Sequence, residues 1–259
     1  MTPQDLNKPI HVLKFGGTSV ANPELIRNAA QRIARRRDSG VHVVCVVSAM
    51  GDTTDRLLSL AREISTRPPS RELDVLLSAG EVQSMALLSM ALNELGIAAR
   101  SYTGQQGGIR TDAQHSEAKI LSIDPDRVLE ALNRDEVVVL AGFQGHDDRD
   151  EITTLGRGGS DTSAVAMAAA LEAERCEILT DVSGVFTADP RIVEGARQIS
   201  ALGYDEMLEM ANLGARVLHG RSVELARRFE VPLIVASATA DTAGTRISRK
   251  DDSMQKVQI

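Results

Sequence analysis

Two stretches of this sequence set single charged residues among glycines and hydroxyls. In Lys14-Phe15-Gly16-Gly17-Thr18-Ser19 an ammonium stands beside two glycines and two hydroxyls. Such a loop lets backbone N–H groups close on an anion while the cation neutralises it, although an ordinary tight turn uses the same glycines. Neither G-x-x-x-x-G-K followed by Ser or Thr nor G-x-G-x-x-G occurs in the chain, which excludes the common phosphate-loop and dinucleotide fingerprints. The second stretch is Thr153-Thr154-Leu155-Gly156-Arg157-Gly158-Gly159-Ser160-Asp161-Thr162-Ser163, and an alanine-rich helical pattern follows it. A helix N-terminus offers free N–H groups and the positive end of its dipole to an anion. Arg157 adds a planar fork suited to a carboxylate, and Asp161 would sit among the cationic groups. A purely structural glycine loop needs neither charge.

Three further segments carry polar groups with two readings each. Ser48-Ala49-Met50-Gly51-Asp52-Thr53-Thr54-Asp55 could hold a polar substrate group or simply cap a helix. In Ser78-Ala79-Gly80-Glu81 a glycine sits inside a helical pattern, where it costs about 1 kcal/mol relative to alanine. It makes room either for a ligand that Glu81 contacts or for a close helix packing with Glu81 exposed. Thr180-Asp181-Val182-Ser183-Gly184-Val185-Phe186-Thr187-Ala188-Asp189-Pro190-Arg191 could receive a nucleotide, with Asp181 and Arg191 reaching its polar groups, or form a hairpin closed by Asp189-Pro190. The five histidines show no catalytic spacing, and His219 reads as structural.

These loops need strands and helices to hold them. Ile10–Phe15, Val41–Val47, Ile97–Thr103, Val137–Phe143, Glu177–Asp181 and Leu233–Ser237 read as strands. Val41–Val47 is almost continuously apolar, as a strand buried on both faces should be. Helical patterns run from Asn22 to about Arg37, over Thr53–Ile64, Glu72–Leu95 and Ala164–Ala173, and over Ser222–Arg228. Asn22-Pro23-Glu24 combines a side-chain cap, a preset φ and an acid in the first turn. Strand–helix alternation of this kind predicts an α/β fold with a mainly parallel sheet covered by helices on both sides. In such sheets ligands gather where the carboxyl ends of strands enter helices, which is where the charged loops fall. One domain is expected, ending in a polar tail from Ser248.

The chain has 29 Lys and Arg against 36 Asp and Glu, a formal net charge of −7, with 42% hydrophobic residues. That is an ordinary globular composition. With no Trp, two Tyr and four Phe, the chain offers few stacking platforms, and its acidity argues against a nucleic-acid partner. Cys45 and Cys176 lie far apart in apolar runs without ligand spacing, so no zinc site is expected. No membrane span of about 20 apolar residues and no signal peptide are read, and a cytoplasmic protein is expected.

Taken together, the segments resemble the amino acid kinase family, and within it the aspartate kinases. KFGGTSV, SAMGDTTD, LLSAGE, TGQQGGIRTD, GFQG, TTLGRGGSDTSA, TDVSGVFTADPR, EMLEMANLGARVLHGRSVELA and GTRI follow in the family's order. They extend from Val12 to Ile247. The resemblance implies a three-layer αβα sandwich, with a catalytic domain over 1–247 and the polar tail over 248–259. It implies transfer of the γ-phosphoryl group of ATP to the side-chain carboxylate of L-aspartate, the first step towards lysine, threonine and methionine. It implies Mg²⁺ held mainly through phosphates and a homodimer. By motif, Lys14 and Asp161 would be catalytic, with Gly16, Gly17, Thr18 and Ser19 beside the phosphoryl group. Arg157 would hold the substrate α-carboxylate and Glu81 its α-ammonium, with Ser48, Thr54, Phe143 and Ser160 completing the acceptor pocket. Thr180, Asp181, Phe186, Arg191, Arg216 and Val217 would line the nucleotide site.

The sequence departs from the family pattern at several points. Phe186 stands where many members have Tyr, Arg216 where Lys is frequent, and Ala236 where an arginine is common. The segment 146–151 is unusually acidic. Family enzymes normally continue beyond GTRI into two ACT modules that bind lysine or threonine. Two rival readings are a sister kinase acting on another carboxylate, such as N-acetylglutamate, and a non-catalytic nucleotide-binding partner chain. Glu81 argues against the first, since an acetylated amine carries no charge. Lys14 and Asp161 argue against the second.

Overall fold

The computed structural model describes residues 2–215, 217–240 and 242–249. Its elements are β1 (Ile10–Phe15), α1 (Pro23–Asp38), β2 (His42–Val47), α2 (Thr53–Ile64), α3 (Ser70–Glu94), β3 (Ala99–Tyr102), β4 (Ile109–Thr111), β5 (Ile120–Ile123), α4 (Asp126–Asn133), β6 (Val137–Ala141), β7 (Gln144–His146), β8 (Ile152–Thr154), α5 (Gly159–Ala170), β9 (Arg175–Thr180), β10 (Ala201–Gly203), α6 (Tyr204–Asn212), α7 (Gly220–Arg228), β11 (Leu233–Ser237) and β12 (Thr245–Ser248). The main sheet has the order β10-β12-β11-β9-β1-β2-β6-β3. Every neighbouring pair in it is parallel except β11 with β12. A smaller sheet, β5-β4-β7-β8, sits beside it.

Alternation along each strand divides the apolar side chains between two cores. Val12, Val44, Val46, Val138, Leu140 and Ile178 pack with residues of α4, α5, α6 and α7 on one face. Leu13, Phe15, Val43, Cys45, Val47 and Val139 pack with residues of α1 and α3 on the other. The result is the expected αβα sandwich. Strand β2 is buried along its whole length, which explains why its sequence shows no polar alternation. The two-residue period also aims the site: Ile10 and Val12 lie in the core with Ala164 and Val165, so Lys14 faces α5.

The expected bounds of β1, α2 and β11 agree with the structure at both ends. Asn22 caps α1 by accepting from the Leu25 N–H at 2.9 Å. Helix α5 begins at Gly159 rather than Ala164, because Gly158 adopts a left-handed conformation (φ 71°) and starts the helix inside the glycine loop. The second sheet and α4 escape the period analysis: β4, β7 and β8 are three residues each, too short for an alternation to register. Ser248, where a polar tail is expected to begin, is buried and closes β12; residues 250–259 lie outside the described ones. Both cysteines are buried and free, with burial pushing their thiols up out of reach of ionisation.

Contrary to the expectation from sequence, one helix among the described residues is long and apolar enough, by length and composition alone, to cross a membrane: α3, 25 residues with a window of mean hydropathy 1.5. Here it packs against α1, α2, β3, β6 and β8, and its buried residues include Asp74 and Glu81. Gly80 makes close packing possible. A Cβ on Gly80 would lie 2.7 Å from the Ala49 Cβ in the loop after β2, so the space is taken by protein, not left for a ligand. Gly80→Ala should therefore destabilise the protein by about 1–3 kcal/mol in chemical denaturation, against the gain of about 1 kcal/mol that helix propensity alone predicts.

Candidate active site

Four adjacent strands, β9, β1, β2 and β6, deliver their carboxyl ends side by side, and backbone hydrogen bonds join the loops that leave them. Gly16 N–H donates to Leu179 O (3.2 Å), Ser48 N–H to Phe15 O (3.1 Å), Gly51 N–H to Gly17 O (3.0 Å) and Gly142 N–H to Val47 O (3.0 Å). The Gly16 amide, expected beside a phosphoryl group, is therefore already engaged. Gly17 and Thr18 open a short 3-10 turn, Gly17–Val20, and the first amides of such a turn have no acceptor within it. Ser19 is buried, and its N–H bonds Gly16 O.

Lys14 rises from the end of β1 to meet the first turn of α5. Its Nζ lies 2.7 Å from Asp161 Oδ1, with the two side chains only 12% and 14% exposed. Opposite charges at this distance make the contact an ion pair, although its alignment does not make a hydrogen bond at Oδ1. Gly159 N–H is used by Gly156 O at 3.0 Å, while Ser160 and Asp161 occupy the next two positions, where helix amides lack internal acceptors. Arg157 stands between Gly156 (φ 73°) and Gly158 (φ 71°). The left-handed pair turns the chain around it and leaves Arg157 exposed, without an ion pair among the described residues. A Cβ on Gly158 would come within 2.3 Å of the His219 ring, which gives that histidine its structural role.

Phe143 and Ser160 belong to the same corner. Phe143 has a positive φ of 67°, a strained choice for a bulky residue. Its N–H donates to Ser163 Oγ (3.0 Å), and its carbonyl accepts from Leu155 N–H (2.9 Å). Ser160 is nearly buried, in contact with Gly142. Ser48 and Thr54 are half-buried. The capping alternative for this loop finds no support, since Asp52 at the N-cap of α2 makes no side-chain bond.

Glu81 is 3% exposed, so the exposed-carboxylate alternative fails as well. Its Oε1 accepts from Ala49 N–H at 3.0 Å, while Oε2 has no partner. Burial raises its carboxyl to about 7, with the Ala49 N–H opposing the shift. An unpartnered carboxylate oxygen in a buried place favours a cation.

The sequence reading passed over Asp74 and Gln144. Asp74 is fully buried and accepts from Thr154 Oγ1 (2.7 Å) and Thr154 N–H (3.1 Å). Ser116 N–H (3.0 Å) and His115 Nδ1 (2.9 Å) also reach it. Gln144 Nε2 donates to Ser78 O at 3.0 Å. A signal existed: Asp74, Ser78 and Glu81 follow helical spacing, a polar stripe on an otherwise apolar helix.

The residues expected around a nucleotide are less closely gathered. Thr180 Oγ1 donates to Asp181 Oδ1 (3.0 Å) on the exposed side. Phe186 bridges Gln198 in antiparallel fashion, in keeping with the hairpin alternative. Arg191 does not stand free: its fork donates to Asp189 at 3.0 and 2.9 Å. Val217 packs against the core that contains α5 and α7. Arg216 lies outside the described residues. Among the described residues no three His, Cys, Asp or Glu side chains converge on a metal position.

An ammonium, a guanidinium and a buried carboxylate on the loops at the carboxyl ends of a mainly parallel sheet mark an α/β protein of the three-layer kind. The profile of the amino acid kinase family matches residues 9–237, and the chain belongs to that family. It is 54% identical over 248 residues to aspartokinase 2 of Bacillus subtilis, covering 96% of this chain and 61% of that protein. It resembles the crystal structure of aspartate kinase from Synechocystis (TM-score 0.84, 48% identity, 95% of this chain and 40% of that one). It also resembles E. coli aspartokinase III in complex with aspartate and ADP (TM-score 0.81, 29% identity, 94% and 65%). The chain thus spans less than two thirds of these proteins.

The position of Glu81 has a measurable cost. Its folded pKa of about 7 exceeds the ordinary 4.5, so folding takes up a proton between those values and stability falls as pH rises through that window. Denaturation of Glu81→Gln beside the parent at pH 5 and pH 8 should show a relative gain for the variant at pH 8, of about 3 kcal/mol at most.

Proposed function

We propose that the chain carries the aspartate kinase reaction: the side-chain carboxylate of L-aspartate attacks the γ-phosphorus of ATP, the bond to the β-phosphate oxygen breaks, and 4-phospho-L-aspartate and ADP leave. What supports the reading is identity to aspartokinases over nearly the whole chain and, above all, the Lys14–Asp161 pair at 2.7 Å beneath the glycine loops. The nucleophile is ionised at neutral pH, with an ordinary pKa of about 3.9, so no general base is needed. The reaction needs charge cancellation and alignment. Lys14 supplies the cation for the transferring phosphoryl group, and Asp161 orients that cation. The amides of Gly17, Thr18 and Ser160 are the backbone donors on hand.

A free amino acid is a zwitterion. On this reading Arg157 takes its α-carboxylate and the unpartnered oxygen of Glu81 its α-ammonium, with Ser48, Thr54, Phe143 and Ser160 around it. This distinguishes aspartate from an N-acetylated acceptor. Thr180, Asp181, Phe186, Arg216 and Val217 are assigned to the nucleotide, and Arg191 could join them only by leaving Asp189. The donor set fits Mg²⁺ carried on nucleotide oxygens, not a protein-held ion, in keeping with the habit of Mg²⁺ to keep its waters and bind through phosphates. A catalytic domain over 1–247, a cytoplasmic setting and a role in forming lysine, threonine and methionine belong to the same reading. So does a homodimer. Helix α2 buries none of its residues and leaves Leu60 and Ile64 51% and 84% exposed.

Incubation with Mg-ATP, single amino acids and hydroxylamine should trap hydroxamate from aspartate alone; hydroxamate from N-acetylglutamate instead would transfer the assignment to the sister kinases. Lys14→Ala should lower kcat at least about a hundredfold with an unchanged circular dichroism spectrum, and near-normal turnover in it would refute the role. Because protonated Glu81 cannot hold an ammonium, KM for aspartate should rise as pH falls below about 7, and a flat profile from pH 6 to 8 would remove Glu81 from the site.

A further inference from the structure

Helix α3 carries Glu81, whereas Arg157 sits on the loop between β8 and α5, so two separate parts of the fold must be held in register for one ligand to span them. The structure joins them at Asp74. This residue lies two helical turns before Glu81 on the same face of α3. Its two oxygens receive five donors from outside the helix. Thr154, the last residue of β8, gives both its hydroxyl (2.7 Å) and its N–H (3.1 Å). Ser116 gives its N–H (3.0 Å) and, more distantly, its hydroxyl (3.5 Å). His115 Nδ1 completes the set at 2.9 Å, and with an ionised carboxylate that nitrogen carries the hydrogen. The Thr154 carbonyl in turn accepts from Ala118 N–H (2.9 Å).

The consequence reaches Arg157 through Gly156. A Cβ on Gly156 would meet the Ser116 carbonyl at 3.0 Å, so the segment that Asp74 fastens is also the wall against which the Arg157 loop turns. Beyond the loop, Leu155 N–H bonds the Phe143 carbonyl, while Gln144 Nε2 bonds Ser78 O back on α3. The ring of contacts closes on the helix where it began. A carboxylate with five donors and no exposure is a rigid joint, since any substitute must leave several buried donors unmatched.

We infer that Asp74 is a positioning residue: it sets the separation between the Arg157 loop and Glu81, and with it the fit of the amino-acid acceptor, without touching substrate. The inference rests on the aspartate kinase reading above. A joint of this kind acts on one substrate. Displacement of about 1 Å at a distant support can reduce productive binding severalfold or more, and here the acceptor half would shift first, because Gly17 and the ends of β1 and β9 are held by backbone hydrogen bonds outside this ring of contacts.

Steady-state kinetics with both substrates varied test this directly. In Asp74→Asn, the new amide hydrogens face Thr154 and Ser116 N–H groups; KM for aspartate should rise about tenfold with KM for ATP within about twofold. Thr154→Val, which removes one hydroxyl donor and keeps the shape, should give a smaller rise in the same parameter alone. If Asp74→Asn does not fold, Thr154→Val decides. Unchanged KM values with a lower kcat, or a parallel rise in both KM values, would overturn the inference and leave Asp74 a purely structural residue. The parent protein in the hydroxamate assay is the control: if it makes no hydroxamate from aspartate the functional reading fails first, and this inference with it; if it does, only the variants judge Asp74.

Discussion

Two anions repel each other most strongly at the distance where they must react, and one half-hidden cation is the simplest remedy. In the proposed reaction Lys14 is the group around which the rest of the site is arranged. Its ammonium is sheltered but not sealed, with 12% of the side chain exposed, so solvent screens it less than a surface lysine. A sheltered cation needs a fixed partner, and Asp161 supplies it from the first turn of α5. An acid there is favoured by the helix dipole in any case, so α5 stabilises the carboxylate that aims the lysine. On the proposed reading the pair also joins the two halves of the mechanism: β1 brings the cation, and α5 brings the open amides that an anion would meet.

Helix α3 obeys a different logic. Its lower half packs into an apolar core through Met85, Leu88 and Leu92, while its upper half runs a polar stripe through Asp74, Ser78 and Glu81, all buried. The two buried acids differ in how they are satisfied. Asp74 is surrounded by donors and serves rigidity; Glu81 keeps one oxygen without a partner and holds its proton up to about 7. A group left unsatisfied in the protein alone lowers stability, and on the proposed reading the ammonium of the acceptor answers it.

The strand ends explain how loops so distant in sequence share one place. Parallel strands all point their carboxyl ends the same way, so β9, β1, β2 and β6 deliver four loops to one edge. Hydrogen bonds between those loops then set their heights relative to one another. Close backbone approach is needed throughout, which is why glycines recur there: a Cβ on Gly17 would lie 2.7 Å from the Ala49 carbonyl.

Much of this was legible in the residues alone. The two-residue period of β1 put Lys14 on one chosen face, the Asn22-Pro23-Glu24 start of α1 is a local cap, and the charged glycine loop before α5 announces a helix N-terminus. Each depends on neighbours within a few positions, and such interactions are written in order along the chain. Other features were decided only by folding. The Gly16 amide is spent on Leu179, Gly80 makes way for Ala49 instead of a ligand, Arg191 is tied by Asp189, and the donors of Asp74 come from segments dozens of residues away. Three-residue strands such as β4 and β7 exist because a partner strand pairs with them, not because their own residues prefer it. Short-range geometry follows from residue type, but which donor finds which acceptor across the molecule is set by where the packed cores bring the backbone.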